Sequence, residues 1–352
     1  MCVQSSIFQQ AAQWPGTASD PGSFLHGIDL SRDRAVFVPA SRASLTRPGF
    51  LDGREDFSIG ARWEAPLAEL IASPPVTLRP DRFIFHVSFC GSTYLSRLID
   101  ISGRSMVLRE PNCLVDLADA AARREEIDRP LDWARAMLGR RWQPGEAIVV
   151  KPSSWVNVIA ERLAAQPATI LPMFVTMQPS DFLCAVFRGG RERMAYTARL
   201  AALVARTDPD GAPLLADAVA AAGDPLGKGA NLAALALGLQ LRLFERLRRG
   251  GGWCEDHRID FRTIVDSPIE AGEQASRALR LGLDDRDIEH AVEINRCIHS
   301  KSSDIAFSAK QRAAEDRIVM DLHGATINAS LDWLQRTMGP DFTTESVRRA
   351  AA

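Results

Sequence analysis

Residues 82–99 read RFIFHVSFCGSTYLSRLI, and the fold turns on how this stretch changes character midway. Phe83 to Val87 form a continuous apolar run, whereas Leu95, Leu98 and Ile99 recur at helical spacing. Between them stands Gly91-Ser92-Thr93, a tight turn that carries the chain from a strand into a helix N-terminus. Such a turn aims backbone N–H groups at one point, where the helix dipole also favours negative charge, so a phosphate- or sulfate-binding loop is expected. The loop is not of the Walker type. In the pattern G-x-x-x-x-G-K-[ST], the first glycine would fall on His86 and the lysine on Ser92. Kinases and ATP- or GTP-hydrolysing enzymes hold the terminal phosphates with that lysine, so its absence counts against both. The plain alternative is an ordinary strand-to-helix turn with a hydroxyl N-cap.

The same alternation repeats downstream. SMVLRE (105–110), AIVVK (147–151) and ILPMFVT (170–176) are further apolar runs, as expected for strands buried on both faces. Trp155, Val158, Ile159, Arg162 and Leu163 supply helical spacing between two of them. Strand and helix in alternation predict an α/β fold of the P-loop NTPase-like kind, a parallel sheet flanked by helices with right-handed crossovers. Residues 191–250 are alanine-rich and read as an all-helical insertion, broken at DPDGAP (208–213) and GDPLGKG (223–229). Leu235, Leu239, Leu243 and Leu247 predict a long buried helix there, and RIDFRTIV (258–265) a late strand. Residues 1–80 are rich in Pro, Gly, Ser and Asp and form an expected N-terminal accessory region. It would hold a small β element with a strand at AVFVP (35–39), a second near FSIGARW (57–63) and a short helix at APLAELIA (65–72). The α/β domain is expected over residues 81–345.

Composition bounds the partners. The 352 residues are 46% apolar and 24% charged, enough to bury a sizeable core. Lys plus Arg is 42 against 44 Asp plus Glu, so no overall field draws the molecule to nucleic acid or an anionic membrane. The six cysteines show neither a C-x-x-C pair nor the density of a disulfide scaffold, which predicts reduced thiols and a cytoplasmic location. No secretory signal pattern and no membrane-spanning apolar stretch is visible. His290, Cys297 and His299 lack paired metal-ligand spacing, so no metal is expected.

Phe89-Cys90-Gly91-Ser92-Thr93-Tyr94 resembles the loop of the P-loop sulfotransferases, commonly Lys/Arg-Ser-Gly-Thr-Thr followed by an aromatic. VLREPNCLVDL is similar to the second strand of that family with its Glu-Pro pair, and VVKPSSW to a Lys-Ser-Pro or Lys-Thr-Pro segment of some carbohydrate sulfotransferases. FVTMQPSDFLCAVFR, IDFRTIVDSPIEAGEQASRALRLGL and CIHSKSSDIAFSAKQR follow in family order, so the resemblance covers residues 82 to 312. It implies a transferase that moves a sulfuryl group from phosphoadenosine phosphosulfate to a hydroxyl or amine of a small-molecule acceptor. Cys90, Gly91, Ser92, Thr93 and Tyr94 would then wrap the donor phosphate, with Ser300 and Lys301 in the C-terminal Ser-Lys segment. The family's loop cation falls on Phe89, and its ribose 3′-phosphate ligands fall on Met177 and Ala185.

Cations and a base must therefore come from elsewhere. Sulfuryl transfer develops negative charge that N–H donors or cations have to meet. Lys151, closing an apolar strand, and Lys301 are the first candidates, and Arg188, Arg191 and Arg193 could also reach a phosphate. Glu110 closes the second strand of the sheet, a suitable place for a base, unless it merely pairs with a cation. His86, beside the loop, is a third catalytic candidate, although a histidine on a buried strand is more often a hydrogen-bonded core residue. The alternative function is a divergent P-loop protein that binds another phosphorylated ligand without sulfuryl transfer.

Overall fold

The computed structural model describes residues 20–72, 82–165, 170–295 and 309–339. An antiparallel sheet of order β1-β2-β3 comes first, built from β1 (Ser23–Asp29), β2 (Arg34–Pro39) and β3 (Trp63–Pro66). Helices α1 (Arg42–Thr46) and α2 (Leu67–Ala72) flank it. The α/β unit then runs β4 (Arg82–His86), α3 (Ser92–Leu98), β5 (Ser105–Arg109), α4 (Asn112–Ala122), α5 (Asp128–Leu138) and β6 (Ala147–Lys151). A 3-10 turn at Ser154–Ile159 leads into α6 (Ala160–Leu163), followed by β7 (Leu171–Thr176) and α7 (Pro179–Arg188). Three helices follow, α8 (Gly190–Val204), α9 (Gly211–Ala220) and α10 (Pro225–Gly251), and then β8 (Arg258–Asp260). The described chain closes with α11 (Phe261–Asp266), α12 (Pro268–Ala278), α13 (Asp285–Asn295) and α14 (Ala309–Met338).

The second sheet has five parallel strands in the order β5-β6-β4-β7-β8. Its inner strands are apolar because helices cover both faces, and Phe83, Ile84 and Phe85 of β4 are fully buried. From β4 the chain travels to the edge strand β5, returns to β6, and then crosses to β7 and β8 on the other side. The strand order therefore reverses at β4, and the crevice beyond its carboxyl end is where open α/β sheets collect ligands.

The α/β fold with a parallel sheet and flanking helices agrees with the sequence, as does a helical stretch across 191–250. Two expectations are corrected. RIDFRTIV is strand only over Arg258–Asp260; the Asp260 side chain accepts from the Arg262 amide and caps α11, so the apolar pair Phe261 and Ile264 lies on a helix. In the N-terminal region the strand expected near 57–63 begins only at Trp63. A strand not expected, β1, precedes it with a register shift between Leu25 and Gly27.

Buried and half-buried polar side chains join the N-terminal sheet to the α/β unit. Arg109, 1% exposed on β5, donates to the carbonyls of Thr46 and Pro48 and to Asp100. Arg42 on α1 donates to Glu146 at 2.7 Å and to the Ser105 carbonyl at 3.0 Å. Asp116 on α4 accepts from the Ile28 amide at 2.8 Å, beside the bulge in β1.

Burial, with further repulsion from Asp119 and Asp29, pushes the Asp116 carboxyl up to about 6. A folded-state value above the unfolded one means that the folded chain binds the extra proton, so this contribution is complete below the unfolded value and is lost as pH rises through about 6. Asp116→Asn cannot titrate. In urea melts, the stability of the wild type relative to this variant will fall as pH rises from the unfolded carboxylate range to about 6 and level off above it.

Candidate functional site

The loop that leaves β4 holds an uncommon backbone. Ser88, Phe89 and Gly91 have φ of 67°, 55° and 75°. Positive φ costs non-glycine residues on the order of 1–3 kcal/mol each, and such strain concentrates at ligand sites. Runs of this kind turn successive amides inward into an anion-binding concavity. Gly91, in a left-handed conformation, stands at the N-cap of α3. A Cβ at Gly91 would stand 3.2 Å from the Phe261 ring, so both its φ and its contact with α11 require glycine.

This loop opens into a cleft of about 2050 Å³. Gly91, Ser92, Thr93 and Tyr94 line it together with Glu110, His86 and Arg188, so most of the residues singled out in the sequence share one space. The Cys90 side chain is fully buried and burial pushes its thiol up, which leaves its backbone as the part that serves the loop. Ser300 and Lys301 lie outside the described residues. Met177 and Ala185 are buried apolar side chains that offer nothing to a phosphate.

The three catalytic candidates meet at the carboxyl ends of β4, β5 and β6. Lys151 is 0% exposed, its ammonium 2.6 Å from Glu110 Oε1, and it is absent from the cleft lining. Glu110, at φ 55°, donates its backbone N–H to the Lys151 carbonyl at 2.6 Å, and its Oε2 accepts from Arg54 at 3.2 Å. His86 is 3.8 Å from Glu110 Oε1. The His86 ring is committed on both sides: Nδ1 accepts from the Ser88 amide at 3.2 Å, so Nε2 carries the proton and donates to the Pro152 carbonyl at 3.0 Å. That tautomer holds the loop in place and leaves His86 a positioning residue.

Helix α8 brings in Arg193, one of the arginines expected to reach a phosphate, and Tyr196, which nothing in the sequence marked. The Arg193 guanidinium sits over the Phe89 ring, 4.8 Å from its centroid, and donates to the Ala185 carbonyl at 2.7 Å. Among the described residues no carboxylate pairs with it, and burial followed by repulsion from Arg188 lowers its pKa. Arg188 differs, being bonded to Asp316 and 3.7 Å from Glu315 on α14. Arg312 stacks 4.0 Å from the centroid of Phe261. One turn after Arg193, Tyr196 packs edge-on against Phe89, and its hydroxyl is 2.8 Å from Ser154 Oγ, which bonds in turn to Ser88 Oγ. Burial pushes the phenol up, with the Ser154 and Ser88 bonds opposing, so Tyr196 stays a neutral donor. The cleft lining also carries charge of opposite sign, with Asp266, Glu270 and Glu273 from α11 and α12.

No protein-family model matches the chain, and no curated protein matches it significantly.

If Lys151 and Glu110 serve each other, removing the carboxylate strands a fully buried ammonium. Glu110→Gln will lower the unfolding free energy by about 3–5 kcal/mol. Lys151→Met/Glu110→Gln will recover much of that loss in the same urea titration, giving a double-mutant cycle far from additive.

Proposed function

We propose that this chain is a sulfotransferase-like transferase on a P-loop fold, taking a sulfuryl group from phosphoadenosine phosphosulfate to a hydroxyl or amine of a small-molecule acceptor. The carrying observation is the unneutralised Arg193 standing over Phe89, the position whose usual cation is missing, in a loop whose Ser88, Phe89 and Gly91 are all left-handed. In this reading the amides from Cys90 to Thr93 hold the donor phosphate and Arg193 meets the charge that grows on the sulfuryl oxygens. The acceptor oxygen attacks sulfur, the S–O bond to the donor phosphate breaks, and the phosphate leaves with the electron pair. The hydroxyl proton passes to Glu110, which is 7% exposed and lines the cleft. Lys151 serves by orienting Glu110. Free Cys90, Cys113 and Cys184, all buried, fit the cytoplasmic location proposed with this activity.

A second reading, a divergent P-loop protein that binds another phosphorylated ligand without transfer, draws support from buried Met177 and Ala185, which leave a ribose phosphate without those two partners.

Calorimetry with phosphoadenosine phosphosulfate and its desulfated product tests the first reading. The wild type will bind both. Arg193→Ala will weaken binding roughly tenfold or more, in line with a charge-assisted hydrogen bond of about 1.5–3 kcal/mol, while Arg191→Ala will not. Absence of heat with either nucleotide sinks the donor assignment. Binding of pyrophosphate alone, with the same dependence on Arg193, would favour the second reading.

A further inference from the structure

We infer that α14 is a homodimerisation helix, its outer face seated against the same face of a second copy in antiparallel orientation. Its inner face is accounted for: Ile327, Trp333, Leu334 and Met338 are buried, and the Trp333 indole donates to Asp217 at 2.8 Å. The helix packs on α7 and α10, and Gly238 of α10 admits Met338 so closely that an added Cβ would meet its sulfur at 2.5 Å. The outer face has no such account. Ala314, Ile318, Leu322, Ala325 and Ala329 follow one another at intervals of four, four, three and four residues, and all are exposed. This is the spacing of a continuous helical seam, here about 22 Å long at about 1.5 Å per residue. Ile318 is 58% exposed and Leu322 72%, the latter the most exposed large apolar side chain among the described residues.

Charge picks the occupant. Arg317, Asp321, Asn328 and Asp332 form one polar flank of this seam, all exposed. Among the described residues Arg317 has no carboxylate partner, its side chain reaching only the Ala313 carbonyl at 3.3 Å, and Asp332 has no cation. In an antiparallel pair related by a two-fold axis, each flank faces its own copy. Arg317 and Asp332 then oppose each other twice when the axis passes between Gly324 and Ala325. That point lies inside the seam, next to Ala325, a small residue that lets the helices approach. The same register sets Asp321 against Asn328, so no like charges face each other on this flank. The seam is thus complementary to itself, the condition for an isologous two-fold interface.

Sedimentation velocity on the full chain across the micromolar range tests this independently of any activity. The wild type will sediment as a concentration-dependent dimer, and Leu322→Glu as a monomer with an unchanged circular dichroism spectrum, since the side chain is exposed in the folded chain. Arg317→Asp and Asp332→Arg, each alone, will raise the dimer dissociation constant by about tenfold, as expected for two exposed pairs turned repulsive. Arg317→Asp/Asp332→Arg will restore it. A wild type that stays monomeric, leaving the seam to a different partner, overturns the proposal, as does a Leu322→Glu dimer. Failure of the double reversal to restore pairing overturns the antiparallel register.

Discussion

Everything at the site depends on one buried ion pair, Lys151 with Glu110. A fully buried ammonium is tolerated only with a partner in contact, so the last residue of β6 dictates the conformation of the residue after β5. Glu110 meets that demand by adopting a left-handed backbone, which frees its N–H for the Lys151 carbonyl and turns its carboxylate inward. The second carboxylate oxygen recruits Arg54 from the N-terminal region, and the chain just before Arg54 is fixed by the Leu51 amide on the Arg109 carbonyl, 2.7 Å apart. His86, close to the same carboxylate, braces the Ser88 amide where the loop after β4 begins. The pair thereby ties the ends of β4, β5 and β6 and the N-terminal segment to one point.

The sequence made the sheet legible wherever burial was complete. Ala147–Lys151 was read with its true boundaries because every residue of β6 is buried and no amphipathic alternative competes. Legibility failed where apolar spacing served two periods. Phe261 and Ile264 suit either a strand or a helix, and only the Asp260 cap, an Asp ahead of the apolar pair, marks the helix start. β1 escaped notice because His26 and Gly27 interrupt its apolar run at a bulge. In the site, Glu110, Lys151 and the loop stood out because each ends a strand. Ser154 and Tyr196 did not, since nothing along the chain announces that positions 42 residues apart share a hydrogen bond. The loop's left-handed residues were equally hidden, Ser88 and Phe89 being types that give no warning of positive φ.

The placement of Arg193 explains why an aromatic residue can stand where a cation is expected. A lysine at position 89 would bring a second positive charge to within about 5 Å of that guanidinium, a repulsion of about 3 kcal/mol at an effective dielectric constant of about 20. A cation on the loop and a cation on α8 are therefore competing solutions to one electrostatic demand, and a protein that adopts the second gains from an uncharged residue beneath it. Phe89 does more than stay neutral. Its ring gives Arg193 a stacking surface and packs on Phe182 of α7 and Tyr196 of α8, so the helices that deliver the charge are positioned by the loop they serve. In the proposed reading the anion-binding charge would belong to the helical stretch rather than to the loop, and it would move whenever α8 moves. Arg188, at the end of α7 just ahead of that stretch and held by Asp316, links α7 to the first turns of α14. A helix pairing that steadies α14 would then bear directly on the cleft.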